Sequence, residues 1–282
     1  MQIIFKKIID FILFGNVFVA ICAFSLIYST SIQLQLRDTI HYSTLVFFAT
    51  LFIYNLQRVF YKKQIATNFQ SVRRSWIAEN QKPIKLLALT GFVGVCILFF
   101  FNDTRIIFYL SHLLLLSLFY FLPFIKLRKR AWLKLIILSS VWTIVTAVVP
   151  TLLAGLGLFE KKSFLHILTR FCFMIAICIP FDIRDLHVDK SEEISTLPIL
   201  YGENKSRWLA LVFMFIYIFL IILELYFEIV DEKIFIALLI SALTNTVLVF
   251  MTNSKRSEYF YTAVLDGTMI VQGGLLMIAQ ML

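Results

Sequence analysis

Cysteine is scarce in this chain: there are four, Cys22, Cys96, Cys172 and Cys178, with no CxxC spacing. That pattern gives no basis for a zinc site or a disulfide framework and leaves the thiols as small packing groups inside apolar stretches. Charge is sparse too, at 15% of residues, and acids are the rarer sign, with 17 Asp and Glu against 26 Lys and Arg. No acid occurs between Thr39 and Ala78. The chain has no low-complexity tract, no segment polar enough for a separate soluble domain, and no internal repeat, which argues against a transporter built from inverted halves. The first apolar stretch is long and lacks the small-residue cleavage site of a secretory signal.

What remains is apolar. Hydrophobic residues make up 60% of the 282, including 30 Phe, where soluble domains hold about 45–50%. Stretches long enough to span a bilayer fall near residues 8–30, 40–60, 83–101, 107–125, 133–157, 164–181, 208–229, 234–252 and 260–281. The fold expected is all-α, a polytopic membrane bundle of about nine helices forming one domain over 1–282. A break inside 133–157 is suspected around Gly155 and Gly157.

The connections alternate in charge. Lys62, Lys63, Arg73, Arg74 and Lys82, then Lys126, Arg128, Lys129, Arg130 and Lys134, fall on one side, against Arg37, Arg105, Lys161, Lys162 and Lys233 on the other. The positive-inside rule places the N-terminus in the cytoplasm and the C-terminus opposite, in the inner or plasma membrane for a bacterial chain. The same bias accounts for the net charge of +9 without nucleic acid as a partner. The longer connections, 61–82 and 182–207, are then cytoplasmic and form a polar cap.

The second of these opens on Asp182, Asp185 and Asp189. Spacings of three and four put the acids on one helix face, with the helix starting near Pro180, where proline interrupts the sixth span. Stacked like charges repel by a few tenths of a kcal/mol per pair, and a bound cation would reverse the sign. Hard oxygen ligands at the mouth of a membrane protein point to Mg²⁺ and, through it, to a phosphorylated substrate.

The wider run, Asp182-Ile183-Arg184-Asp185, Asp189-Lys190, Thr196-Leu197-Pro198 and Gly202, resembles the second aspartate-rich motif of the UbiA-type intramembrane prenyltransferases, at the same place after the sixth span. Tyr120 and Lys126 with the basic run to Arg130 are similar to that family's stretch after the fourth helix. The resemblance implies a nine-helix bundle with a lateral apolar cavity for an isoprenoid and a polar cap for Mg²⁺ and diphosphate. An allylic diphosphate would ionise there and a lipophilic acceptor would attack the carbocation. By position, Asp182, Asp185 and Asp189 would be the metal ligands and catalytic acids, with Lys126 and Arg128 touching diphosphate.

One departure stands out. The family's first aspartate-rich motif should close the second span, but this chain reads Tyr54-Asn55-Leu56-Gln57-Arg58-Val59-Phe60-Tyr61-Lys62-Lys63. Asn55 aligns; the acidic positions fall on Leu56, Val59 and Lys63. Either Arg58 and Lys62 contact phosphate directly, with Asn55 beside them, or the fold binds an isoprenoid or lipid without ionising it, as a non-catalytic or scaffold member. Arg has the shape for bidentate phosphate contact. Asp266, alone within the last span, is expected to pair with Arg58 and line the cavity. Plainer readings go to His112 (core), Arg73-Arg74-Ser75-Trp76 (a lipid-interface anchor), Glu224 and Glu228 (solvated), and Gly91, Gly94, Gly273 and Gly274 (close helix contact).

Overall fold

The computed structural model describes residues 2–37, 39–60, 71–101, 105–106, 108–109 and 130–282. The order is α1 (Gln2–Phe14), α2 (Val17–Leu34), α3 (Ile40–Phe60), α4 (Val72–Glu79), α5 (Gln81–Phe99), α6 (Ala131–Leu153), α7 (Lys161–Arg184), α8 (Leu186–Ser191), α9 (Leu197–Tyr201), α10 (Glu203–Tyr226), α11 (Glu232–Phe250) and α12 (Phe260–Met281). No strand occurs among the described residues. Seven of these helices are long and apolar enough to cross a membrane, and α3 is nearly as apolar over 21 residues. The chain is an all-α membrane bundle, and the expected count of about nine is compatible with it. Most of the expected span 107–125, including His112, lies outside the described residues.

α7 is the central post, with 72% of its span window buried against 22% for α5 at the periphery. It packs on α10 and α6, while α12 packs on α2 and α11, and α3 on α2 and α5. Glycine permits the α3–α5 approach, because a Cβ on Gly91 would sit 2.6 Å from the Phe52 nitrogen. Gly94 meets the Phe48 ring and Gly273 meets Ser25, whereas Gly274 faces open space, so it makes no close helix contact.

Three expected boundaries move. The stretch 8–30 is not one helix: Asn16 takes a left-handed backbone with φ 61°, a conformation asparagine tolerates better than most residues. Asn55 of α3 fastens the turn, accepting from the Asn16 amide at 3.1 Å and donating to the Gly15 carbonyl at 3.0 Å. Pro180 starts no helix, since α7 runs through it to Arg184. α6 ends at Leu153, so the suspected break at Gly155 is the helix terminus, where Gly155 has φ +76°.

α6 has an interruption of another kind, a π-helical turn over Ile144–Val148 just before Pro150. Proline has no N–H to return to the preceding turn, so carbonyls there need other donors. In a bilayer no water supplies them. Thr30 Oγ1 donates to the Thr146 carbonyl at 2.7 Å, and Tyr42 Oη to the Val145 carbonyl at 2.9 Å.

Candidate functional site

The three acids do not share one uninterrupted helix. Asp182 lies in the last turn of α7, Asp185 sits at the break with φ −86° and ψ 6°, and Asp189 belongs to α8. Backbone bonds carry the turn across: Asp185 N–H to the Phe181 carbonyl at 3.0 Å and Asp189 N–H to the Asp185 carbonyl at 2.8 Å. The carboxylates thus stay at one end of the bundle but separate into two groups.

Asp182 and Asp189 converge on one cation. Lys134 Nζ, from the first turn of α6, lies 2.7 Å from Asp182 Oδ1 and 3.2 Å from Asp189 Oδ2. Asp185 points into a guanidinium fork, accepting from Arg184 Nε at 2.9 Å and Nη2 at 2.8 Å, and from Arg73 Nη2 at 3.2 Å. Arg73 also reaches Glu258 at 3.4 Å, and Arg74 reaches Glu192 at 3.0 Å. These pairs fold α4 over the acidic connection, so Arg73 and Arg74 are not a lipid anchor. Ser71 caps α4 by accepting from the Arg74 N–H at 3.3 Å.

The carboxyl groups feel these surroundings differently. Burial pushes Asp189 up to about 6, helped by Asp185 and Asp182 and only partly opposed by Lys134. Burial also acts upward on Asp185, but Arg184 and Arg73 outweigh it and hold that carboxyl well below the usual carboxylate range.

Arg58, in the last turn of α3, borders the same group. Its strongest charged neighbours are Arg73 and Arg184, which repel it, and Asp185, which attracts it. Its Nε is buried without a hydrogen-bond partner. Asp266 is flanked by the charges of Arg184 and Arg73, and among the described residues it makes no ion pair with Arg58. The expected Asp266–Arg58 pair therefore does not form; each feels the charges of Arg73 and Arg184 instead. Asp266 follows a π-helical turn over Phe260–Leu265, a kind of irregularity common at functional positions. The Arg184 guanidinium also lies 4.9 Å over the Phe181 ring and 5.9 Å from that of Tyr261.

Of the other expected contacts, Asn55 has its donors committed to the Gly15 and Leu51 carbonyls at 3.0 and 2.8 Å. It positions the α1–α2 turn and has no N–H left for a phosphate. Lys62, Lys126 and Arg128 lie outside the described residues. Sequence reasoning passed over Lys134, Arg73 and Glu258. Lys134 had a signal: a cation in the first turn of a helix opposes the helix dipole and calls for nearby acids.

A second polar group lies about 14 residues, roughly 21 Å, back along α7 from Arg184. Arg170 donates to the Leu26 carbonyl at 3.3 Å and to Ser29 and Thr30 at 3.2 and 3.3 Å, leaving Nε and Nη1 without partners. His166 stands 3.9 Å from Glu224, which is fully buried, with neither carboxylate oxygen hydrogen-bonded. Glu224 is therefore not solvated as expected, because α7 packs over that face of α10; Glu228 is exposed. A cavity of about 10 Å³ opens among Gln33, His166, Arg170, Tyr217 and Gln272, close to the space one water needs.

The fold and its ion-paired end place the chain among known proteins. The model of the UbiA prenyltransferase family matches residues 81–261, and the chain belongs to that family. The degenerate stretch at Asn55–Lys63 precedes the matched region. A UbiA homologue from Archaeoglobus fulgidus bound to GPP and Mg²⁺ superposes with TM-score 0.68 at 10% identity, over 97% of this chain and 100% of that one. An apo UbiA homologue from Aeropyrum pernix K1 gives 0.66 at 15% identity, over 93% and 98%. A digeranylgeranylglyceryl phosphate synthase gives 0.56 at 16%, over 97% of each chain. No curated protein matches the chain in sequence.

The Mg²⁺ seen in the Archaeoglobus protein can be tested against this chain's donor set. Among the described residues no three His, Cys, Asp or Glu side chains are grouped so as to hold a metal ion. Lys134 occupies the point where two of the acids meet, and Arg184 holds the third. As arranged, the described residues do not fit Mg²⁺.

Proposed function

We propose that this protein is an integral membrane prenyl-group transferase that takes an isoprenyl diphosphate at its ion-paired end and passes the prenyl group to a lipophilic acceptor. The observation that carries this reading is the gathering of Lys134, Arg184, Arg73 and Arg58 beside Asp182, Asp185 and Asp189. It occurs on a fold whose Archaeoglobus relative binds GPP. With the N-terminus cytoplasmic, this end faces the cytoplasm, where a water-soluble diphosphate head is available, and the prenyl tail lies among the apolar helices.

The chemistry asked of the residues is limited. The C1–O bond of an allylic diphosphate breaks and its electron pair leaves with pyrophosphate. Guanidinium and ammonium groups fixed in a partly dry site stabilise that developing charge. The faces of Phe181 and Tyr261, already within reach of a cation at Arg184, suit the allylic carbocation. An acceptor nucleophile then forms the new bond to C1 and releases a proton. The Mg²⁺ of the relatives is assigned no step here, because its expected ligands are engaged by Lys134 and Arg184.

That engagement favours one second reading, a non-catalytic member that holds an isoprenoid or lipid without ionising it. The discriminating measurement is pyrophosphate release from geranylgeranyl diphosphate by the purified protein supplied with total lipid extract. Release that falls at least about tenfold in Arg58→Gln supports the transferase, since Arg58 would stabilise departing charge. Binding without release supports the second reading, and absence of binding removes both.

A further inference from the structure

The position of Lys134 goes beyond its role as a counter-charge. Two carboxylates separated by seven residues, on different helices, reach the same ammonium at 2.7 and 3.2 Å. The ammonium is only 13% exposed and the acids 9% and 8%. A divalent cation bridging these oxygens would need distances of about 2.1 Å, and it cannot share the position with an ammonium. The remaining acid, Asp185, is forked by Arg184 and touched by Arg73. Every carboxylate of the cluster therefore contacts a cation of this chain, with Lys134 shared between two of them.

The opposite element shows the complementary change. No acid occurs between Thr39 and Ala78, and α3 brings Arg58 to the group instead. Arg58 has no carboxylate partner among the described residues, and its buried Nε lacks an acceptor. A buried guanidinium N–H without an acceptor is costly, and a phosphate oxygen is the acceptor its geometry matches. Arg73 and Arg184 stand beside it. Both halves of the site thus carry cations of this chain, Lys134 between two acids and Arg58 opposite them.

We infer that Lys134 stands in the place of a metal ion between Asp182 and Asp189, and that a diphosphate binds Arg58, Arg73 and Arg184 directly, without a divalent cation. The inference rests on the proposed function, because it names how that same substrate is held. Its ligand class is a diphosphate monoester carrying an apolar tail, and its distinguishing property is indifference to Mg²⁺.

The test uses the full chain in lipid nanodiscs and a non-hydrolysable geranylgeranyl thiolodiphosphate. Affinity is measured in EDTA and in excess Mg²⁺, and Mn²⁺ binding is followed by electron paramagnetic resonance. Wild-type affinity should agree within about twofold in the two buffers, and Arg58→Gln should weaken it about tenfold in both, as expected for loss of one charge-assisted contact. Lys134→Gln should need Mg²⁺ for binding and should acquire a Mn²⁺ signal that wild type lacks. Wild-type binding that requires Mg²⁺, or a Mn²⁺ signal from wild type, overturns the inference and leaves the transferase reading standing. No binding in either buffer removes the transferase reading and this inference with it. The wild-type arms decide the matter even if Lys134→Gln does not fold.

Discussion

Two polar groups sit along α7, and they are held in contrasting ways. At the Arg184 end, each carboxylate of the cluster meets a cation at 2.7–3.2 Å, and the side chains keep some contact with water, Asp185 at 27%. Around Arg170 the residues are drier, with Arg170 at 3% and Glu224 at 0%, yet several of their polar atoms lack partners. A partly wet group whose clustered carboxylates each meet a cation can trade one partner for an incoming anion at small cost. A dry group that leans on hydroxyls and carbonyls of neighbouring helices has nothing to trade. The first arrangement suits ligand exchange; the second fixes how α2, α7 and α10 fit together.

The contrast is broken most directly by removing one charge from each group. Arg170→Met strands Glu224 and cancels the bonds to Leu26, Ser29 and Thr30. It should destabilise the protein by about 3 kcal/mol, the scale for breaking a buried charge arrangement. Arg73→Met, at the wetter end, should cost about 1 kcal/mol. Thermal unfolding of both variants in one detergent checks the pair, and equal losses would erase the distinction drawn between the two groups.

Acidity sharpens it next. Asp189 binds its proton more tightly folded, at about 6, than unfolded, at about 4. The folded state therefore holds the extra proton between those values, and stability falls as pH rises from about 4 to 6, by about 3 kcal/mol at most. Asp185 has the opposite sign: its contribution is present above about 4 and lost as pH falls below that. Asp189→Asn should flatten the slope between pH 4 and 6 and leave the loss below pH 4 in place. Melting temperature against pH reports both limbs.

The smallest effect tests a link between the deep group and the backbone. Thr30 Oγ1 donates to the carbonyl freed near Pro150, faces His166 Nε2 at 3.1 Å and accepts from Arg170 at 3.3 Å. Thr30→Val keeps the shape and removes the hydroxyl, so about 1 kcal/mol should be lost. Tyr42→Phe, capping the adjacent carbonyl away from Arg170, serves as the control.

Hydropathy and charge alternation were enough to read a polytopic helical bundle, and Asp182 through Gly202 were enough to place it in its family. What stayed hidden shares a physical cause: composition reports how apolar a stretch is, not which neighbour each side chain faces. Glu224 reads as solvated because its place near a span end is visible, whereas the packing of α7 over it is not. Arg73 reads as an interfacial cation because its partners Asp185 and Glu258 are more than a hundred residues away. The turn at Gly15–Asn16 is invisible to an average over apolar residues, since its fastening by Asn55 comes from another helix. Lys134 was read as one more positive charge, although its place in a first helical turn marked it as needing acids.

The π-helical turn at Phe260–Leu265 has a consequence for insertions and deletions. It holds one residue more than an α-helical path of the same span needs. Deleting any one residue there would let α12 close into regular helix, with its backbone bonds intact and its apolar length almost unchanged. What lies beyond the deletion would keep its facing, because the wide turn already absorbs the extra residue. Asp266 would stay beside the charge of Arg184, and Gly273 would stay against Ser25. The same deletion a turn further on, in regular helix, would swing the rest of α12 by about 100° and take Gly273 off Ser25.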